Sequence, residues 1–169
     1  QLEKALAIYQ QTRTIAPEDP RFDANRSQAM LLSGDLATGF TAYESRKKTP
    51  SFASSFAWFQ RWPEWSGENF SGKRLLVYSE QGLGDMLQFS RYLPQVNSRG
   101  GSVYLSVKKP LLPLLKALPS VDLDVEHAEE PLSALSFDLV VPIMTLPFLF
   151  GTTLRTIPAG IPYLQPPAS

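Results

Sequence analysis

Apolar positions along the chain change their spacing at about residue 72. In the first 48 residues they recur at helical intervals. Leu2, Ala5, Leu6 and Tyr9 share one face, and the pattern returns from Leu36. It predicts helices over residues 1–15, 20–33 and 36–48, with Gly34 in a turn. From Gly72 onward, short β-prone apolar runs alternate with helical patterns. Strands are expected at 74–79, 102–107, 121–125 and 137–141. Between them fall a helix from Asp85 to about Ser98, stopped by Gly100-Gly101, and a second helix from Pro110 to Leu118. Pro94 lies inside the first helix and should break its hydrogen bond back to Ser90. Strands alternating with helices imply a parallel sheet with right-handed crossovers. The fold class is α/β: a helical annex, then a Rossmann-like parallel sheet with flanking helices.

The helical part carries an internal period. Leu2, Ala5 and Tyr9 return 34 residues later as Leu36, Gly39 and Tyr43. A period of that length with small and aromatic residues at these offsets resembles the tetratricopeptide repeat. Small residues let paired helices approach closely, whereas an ordinary helical hairpin would need no repeat. The expected divisions are 1–49 for the repeat-like helices, 50–72 for an aromatic-rich linker and 73–169 for the sheet domain. The linker holds all three tryptophans, Trp58, Trp62 and Trp65, with Phe52, Phe56 and Phe59. Rings interleaved with Arg61 could stack nucleic-acid bases. The alternative is packing glue between annex and sheet.

Charge favours glue. Acidic and basic residues number 16 each, so nothing pulls the chain toward nucleic acid or an anionic membrane. There is no cysteine, hence no disulfide and no thiolate metal site, which is compatible with a cytoplasmic location. No apolar run approaches the roughly 20 residues of a membrane span. The chain opens inside an amphipathic helix, and the proline-rich stretch from Tyr163 to Ser169 reads as a connector. Both ends are those expected of a piece of a longer polypeptide.

The chemistry concentrates where the first strand meets its helix, at Glu80-Gln81-Gly82-Leu83-Gly84-Asp85. Glycines there allow a sharp turn and leave room for a ligand. The dinucleotide fingerprint needs a third glycine where Leu87 stands, and an acid after the second strand where Lys108 and Lys109 stand. Asp85 has two readings. It could cap the helix, with Gln88 as a capping-box partner, or serve as a general base, although a helix N-terminus opposes basicity. Asp122-Leu123-Asp124 imitates a metal motif, but its acids alternate with apolar residues as on a half-exposed strand. His127, the one histidine, and Glu126, Glu129 and Glu130 read as loop residues. In a sheet of order 3-2-1-4 the loops after strands 1 and 4 flank the crevice, placing Met144 and Thr145 opposite the glycine loop. Gly151-Thr152-Thr153 would begin a further short helix, with a threonine cap.

These motifs together resemble a class of bacterial tetratricopeptide proteins with a C-terminal glycosyltransferase-like region. Its strand is followed by Glu-Gln-Gly-Leu-Gly-Asp, here Glu80 to Asp85, and then by Gln88-Phe89-Ser90-Arg91-Tyr92-Leu93-Pro94. Further matches are Trp65-x-Gly67-Glu68, Gly72-Lys73, Pro110 to Leu115, and Leu149-x-Gly151-Thr152-Thr153. More remotely the chain is similar to heptosyltransferases, where a Gly-Asp in this loop activates the acceptor hydroxyl. The resemblance implies half of a GT-B architecture, the acceptor-side domain of an inverting, nucleotide-sugar-dependent transferase. It implies Asp85 as catalytic base, with Gln81, Gly82, Leu83, Gly84 and Gln88 at the substrate, joined by Met144 and Thr145 if the strand order above holds. It implies no metal, and a nucleotide-sugar donor held by a second half, without which these 169 residues should be inactive. The competing expectation is a non-catalytic module that binds a protein or peptide through its repeat helices.

Overall fold

The computed structural model describes residues 1–15, 19–116, 118–126, 132 and 135–165. They form two compact units, one of residues 1–58 and 147–157, the other of residues 59–146 and 158–169. The chain is mixed α/β, with a parallel sheet and accompanying helices.

The first unit contains α1 (Leu2–Ile15), α2 (Pro20–Leu32), α3 (Leu36–Tyr43) and α4 (Pro50–Ser55). Each of the last three starts on a side-chain cap. Asp19 accepts from the Arg21 N–H, Asp35 from Thr38 and Thr49 from Phe52, and Pro20 and Pro50 occupy the first turn where no N–H is missed. α3 is shorter than its pattern predicted, because residues 44–48 tighten into a 3-10 turn. There Arg46 is buried, its guanidinium 2.7 Å from Glu44 and 4.4 Å from the centroid of the Tyr43 ring. Gly39 is a position where only a small residue fits. A Cβ at that position would lie 2.7 Å from Leu31 Cδ2 and 3.1 Å from the Leu31 backbone nitrogen. α2 and α3 therefore approach to a distance that a side chain would forbid.

The second unit is built on four parallel strands, β1 (Arg74–Tyr78), β2 (Ser102–Val107), β3 (Leu123–Glu126) and β4 (Leu139–Pro142), in the order β3-β2-β1-β4. Leu75 to Tyr78 of β1 are all buried, as expected of a central strand in a parallel sheet. Helices α5 (Leu83–Phe89) and α6 (Leu93–Asn97) connect β1 to β2, and α7 (Leu112–Leu115) lies between β2 and β3. The single helix expected over residues 85–98 is thus two, joined by a 3-10 turn at Ser90–Tyr92. Pro94 falls in the first turn of α6, where its absent N–H leaves no intrahelical bond unmade. The helix expected over 110–118 is shortened likewise to a 3-10 turn at Lys109–Leu111 and the four residues of α7.

The aromatic segment from Phe59 onward belongs to the sheet unit. Phe59 stacks on Tyr78 with centroids 3.9 Å apart, and Trp62 meets Phe137 edge-on at 5.4 Å. Trp65 is fully buried against Phe70, and its indole N–H donates to the Glu68 carbonyl at 2.9 Å. The same stretch pairs with the outer edge of β4. Val140 donates its N–H to the Pro63 carbonyl and accepts from the Trp65 N–H. Phe59 and Trp65 are thus buried in the core of the sheet unit, and Trp62 is half-buried there.

After β4 a 3-10 turn (Ile143–Thr145) leads into α8 (Leu146–Leu149). Residues 147–157, expected with the sheet, group with the helical unit. Gly151-Thr152-Thr153 ends α8 where it was expected to begin a helix. The Thr152 N–H reaches the Pro147 carbonyl and the Gly151 N–H the Phe148 carbonyl, a Schellman arrangement with Gly151 at φ +56°. His127, Glu129 and Glu130 lie outside the described residues.

Candidate functional site

Parallel pairing brings three chain segments to the C-terminal edge of the sheet. Tyr78 pairs with Ser106 on one side and Pro142 on the other. The segments that follow, 79–85, 107–109 and 143–145, therefore emerge together at the point where strand order reverses. Hydrogen bonds tie them. The Met144 N–H donates to Glu80 Oε1 at 3.1 Å, and Lys108 Nζ donates to the Gln81 carbonyl at 2.5 Å. The loop after β1 is thus held from the β4 side and from the β2 side.

Asp85 lies at the third position of α5, not at its cap. The cap is Gly82, whose N–H donates to Asp85 Oδ2 at 2.9 Å. This is the carboxylate half of a capping box, and glycine has no side chain to supply the other half. Gln88 takes no part in it. Its side chain is exposed, and its carbonyl accepts from Arg91 Nε at 2.8 Å. Asp85 is half-buried, and its Oδ1 makes no hydrogen bond with a described residue.

The two glycines are not where backbone geometry demands them. Gly82 sits at φ −69°, ψ 172°, an extended conformation open to any residue, and Gly84 is not among the positive-φ glycines. A Cβ on Gly84 would find nothing within 4 Å. The sharp turn expected from the sequence is made without a positive φ at either glycine. What remains is clearance at the exposed Gly84, whereas a Cβ on Gly82 would lie 3.1 Å from Asp85 Oδ2; between them Leu83 is 41% exposed.

Among the other expected site residues, Gln81 is half-buried and contributes its carbonyl to Lys108. Met144 and Thr145 do lie opposite the glycine loop, but both side chains are buried, and the Met144 N–H is already engaged by Glu80. Lys108 follows the second strand at the ligand edge of the sheet, and its bond to the loop after β1 is what the structure adds. Its signal was position: Lys108 directly follows β2, which is in register with β1 up to the Tyr78–Ser106 pair. Among the described residues no cluster of three or more His, Asp or Glu side chains could hold a metal, and no helix is long and apolar enough to cross a membrane.

The fold and site define an α/β unit with two carboxylates, Glu80 and Asp85, in the loop at the switch point of a parallel sheet. The chain is 35% identical over 112 residues to Protein FlbA of Caulobacter vibrioides, a match covering 63% of this chain and 19% of that protein. The chain thus spans about a fifth of the length of the curated relative it matches. No family model matches it, and no solved structure does.

Proposed function

We propose that this chain is the acceptor-side part of a GT-B-type glycosyltransferase-like protein, with tetratricopeptide-like helices preceding it. The observation that carries the reading is Asp85. It stands at the C-terminal edge of the central strand, where the order β3-β2-β1-β4 reverses, beside a glycine surface with open space before it. A ligand crevice in a parallel sheet of this kind lies there. Oδ2 is held by the Gly82 N–H while Oδ1 faces no described partner, so one oxygen orients the carboxylate and the other accepts a proton. In the transfer step the acceptor oxygen forms a bond to the anomeric carbon. Its proton passes to Asp85, and the bond to the nucleoside diphosphate breaks with inversion. The donor is bound by the second half that a GT-B architecture carries.

The test is made in the full-length protein, reading nucleoside diphosphate release from uridine and guanosine diphosphate sugars. Asp85→Asn keeps size and still accepts the Gly82 N–H, so folding persists. Turnover falls about 10²–10⁴-fold with donor affinity unchanged. Unaltered turnover by the folded variant ends the general-base reading. A second reading, a peptide-binding repeat module, draws support from the close packing at Gly39. It predicts peptide capture by the helical unit and no response of that capture to Asp85→Asn.

A further inference from the structure

We propose that Lys108 is a positioning residue for Asp85, acting through the single peptide group between Gln81 and Gly82. The carbonyl of that peptide accepts from Lys108 Nζ at 2.5 Å. The N–H of the same peptide donates to Asp85 Oδ2 at 2.9 Å. Ammonium, peptide and carboxylate thus form one polarised chain. A cation on the carbonyl strengthens the N–H as a donor, and an anion on the N–H strengthens the carbonyl as an acceptor. The chain also fixes the plane of the peptide. If it rotated about its long axis, both bonds would be lost together, and Oδ2 would be free to swing.

The fold builds this arrangement from both sides. Lys108 follows β2 directly, and its own carbonyl accepts from the Leu111 N–H at 2.8 Å, which fixes where its side chain departs. Parallel pairing of β1 with β2 then brings it to the loop after β1. Glu80 is bound from the other flank by Met144, so the preceding residue cannot follow a rotating peptide. The half-buried Lys108 ammonium points to the one carbonyl whose peptide partner is bonded to Asp85.

The wiring stands on these bonds alone. Its consequence for turnover rests on the general-base reading above, and the experiment separates the two. In the 15N-labelled chain the Gly82 amide is the reporter, because Lys108 does not touch it directly. Lys108→Met should move the Gly82 amide proton upfield and speed its exchange with water about tenfold, the loss of roughly one hydrogen bond. Lys108→Arg should restore both. A Gly82 amide unchanged in folded Lys108→Met overturns the proposal. Should that variant not fold, the wild-type chain decides. A scalar coupling across the hydrogen bond from Lys108 Nζ to the Gln81 carbonyl carbon is expected, and an ammonium without it overturns the proposal. In the full-length protein Lys108→Met should lower kcat and leave the donor KM unchanged. A responsive Gly82 amide in a protein whose Asp85→Asn variant keeps full turnover would sink the general base and leave the positioning chain intact.

Discussion

The two ends of the parallel sheet use the same residue types for opposite purposes. At the N-terminal end, aspartates clamp strands to their neighbours. Asp138, just before β4, accepts from the Arg74 N–H at 2.7 Å while its own N–H donates to the Arg74 carbonyl at 2.9 Å. Asp122, just before β3, does the same to Val103, at 2.5 and 2.8 Å. Each closes a two-bond ring on the first residues of the adjoining strand. The glycine there is also obligatory. Gly101 sits at φ +78°, and a Cβ would lie 2.5 Å from the Phe70 carbonyl oxygen and 2.6 Å from that of Lys73. At the C-terminal end, Gly84 is sterically free, and Asp85 bonds within its own loop, its other oxygen unbonded among the described residues. One end is closed by its carboxylates. The other is kept open around its carboxylate.

The comparison breaks first at Gly101. Gly101→Ala should cost about 2–4 kcal/mol, since it meets both an unfavourable φ and two backbone oxygens. Chemical denaturation measures it, and a loss below half a kcal/mol would mean that this end is not closed. Asp138→Ala and Asp122→Ala should each cost about 1 kcal/mol, the worth of a strand-end hydrogen bond whose N–H water can partly serve. Neither should alter turnover in the full-length protein. An activity loss from either would erase the division of labour between the ends.

Gly84→Ala should act in the reverse direction. It replaces glycine inside α5 with the best helix former and should stabilise the chain by about 0.5–1 kcal/mol. The added methyl enters the open surface, so the full-length protein should lose activity as stability rises. A destabilised Gly84→Ala would show that the glycine serves the fold. The smallest effect concerns Glu68, in the turn that seats Trp65. Partial burial pushes its carboxyl up. Bonds from the Ser66 hydroxyl, its own N–H and the Ser66 N–H, with Lys73 nearby, outweigh this and hold it below the ordinary 4.5. A depressed folded value contributes stability that is present above 4.5 and fades as pH falls through the folded value. Glu68→Gln should therefore lower stability slightly at neutral pH and flatten the acid side of the profile, converging with wild type at low pH. An acid limb identical to wild type would show that the turn draws nothing from the charge.

Much of this was legible because it is local. The β1–loop–α5 passage is a change of period from 2 to 3.6 around two glycines, and strand order follows from short right-handed crossovers. The contrast between the ends was not legible. Asp122 and Asp138 both stand immediately before an apolar strand, a signal that alternation alone files as a solvated face. The Lys108 bond to Gln81 spans 27 residues and exists only once β1 and β2 are in register. Gly82 and Gly84 spell a turn in sequence, yet their backbone angles show that the turn does not need them. Gly151-Thr152-Thr153 reads as a helix start because threonine caps helices, but the glycine in front of it terminates α8 by a geometry sequence cannot separate from a beginning.

The pairing of residues 63–65 with β4 bears on how molecules of this chain meet one another. An uncovered edge strand is a template on which a second copy can extend the sheet. Here the N–H and the carbonyl of Val140 are already taken by Pro63 and Trp65. The covering segment brings forward a proline, which has no N–H with which to recruit another strand. Growth of the sheet past β4 is blocked by three residues, and a truncation that begins beyond Trp65 would remove the block and favour aggregation.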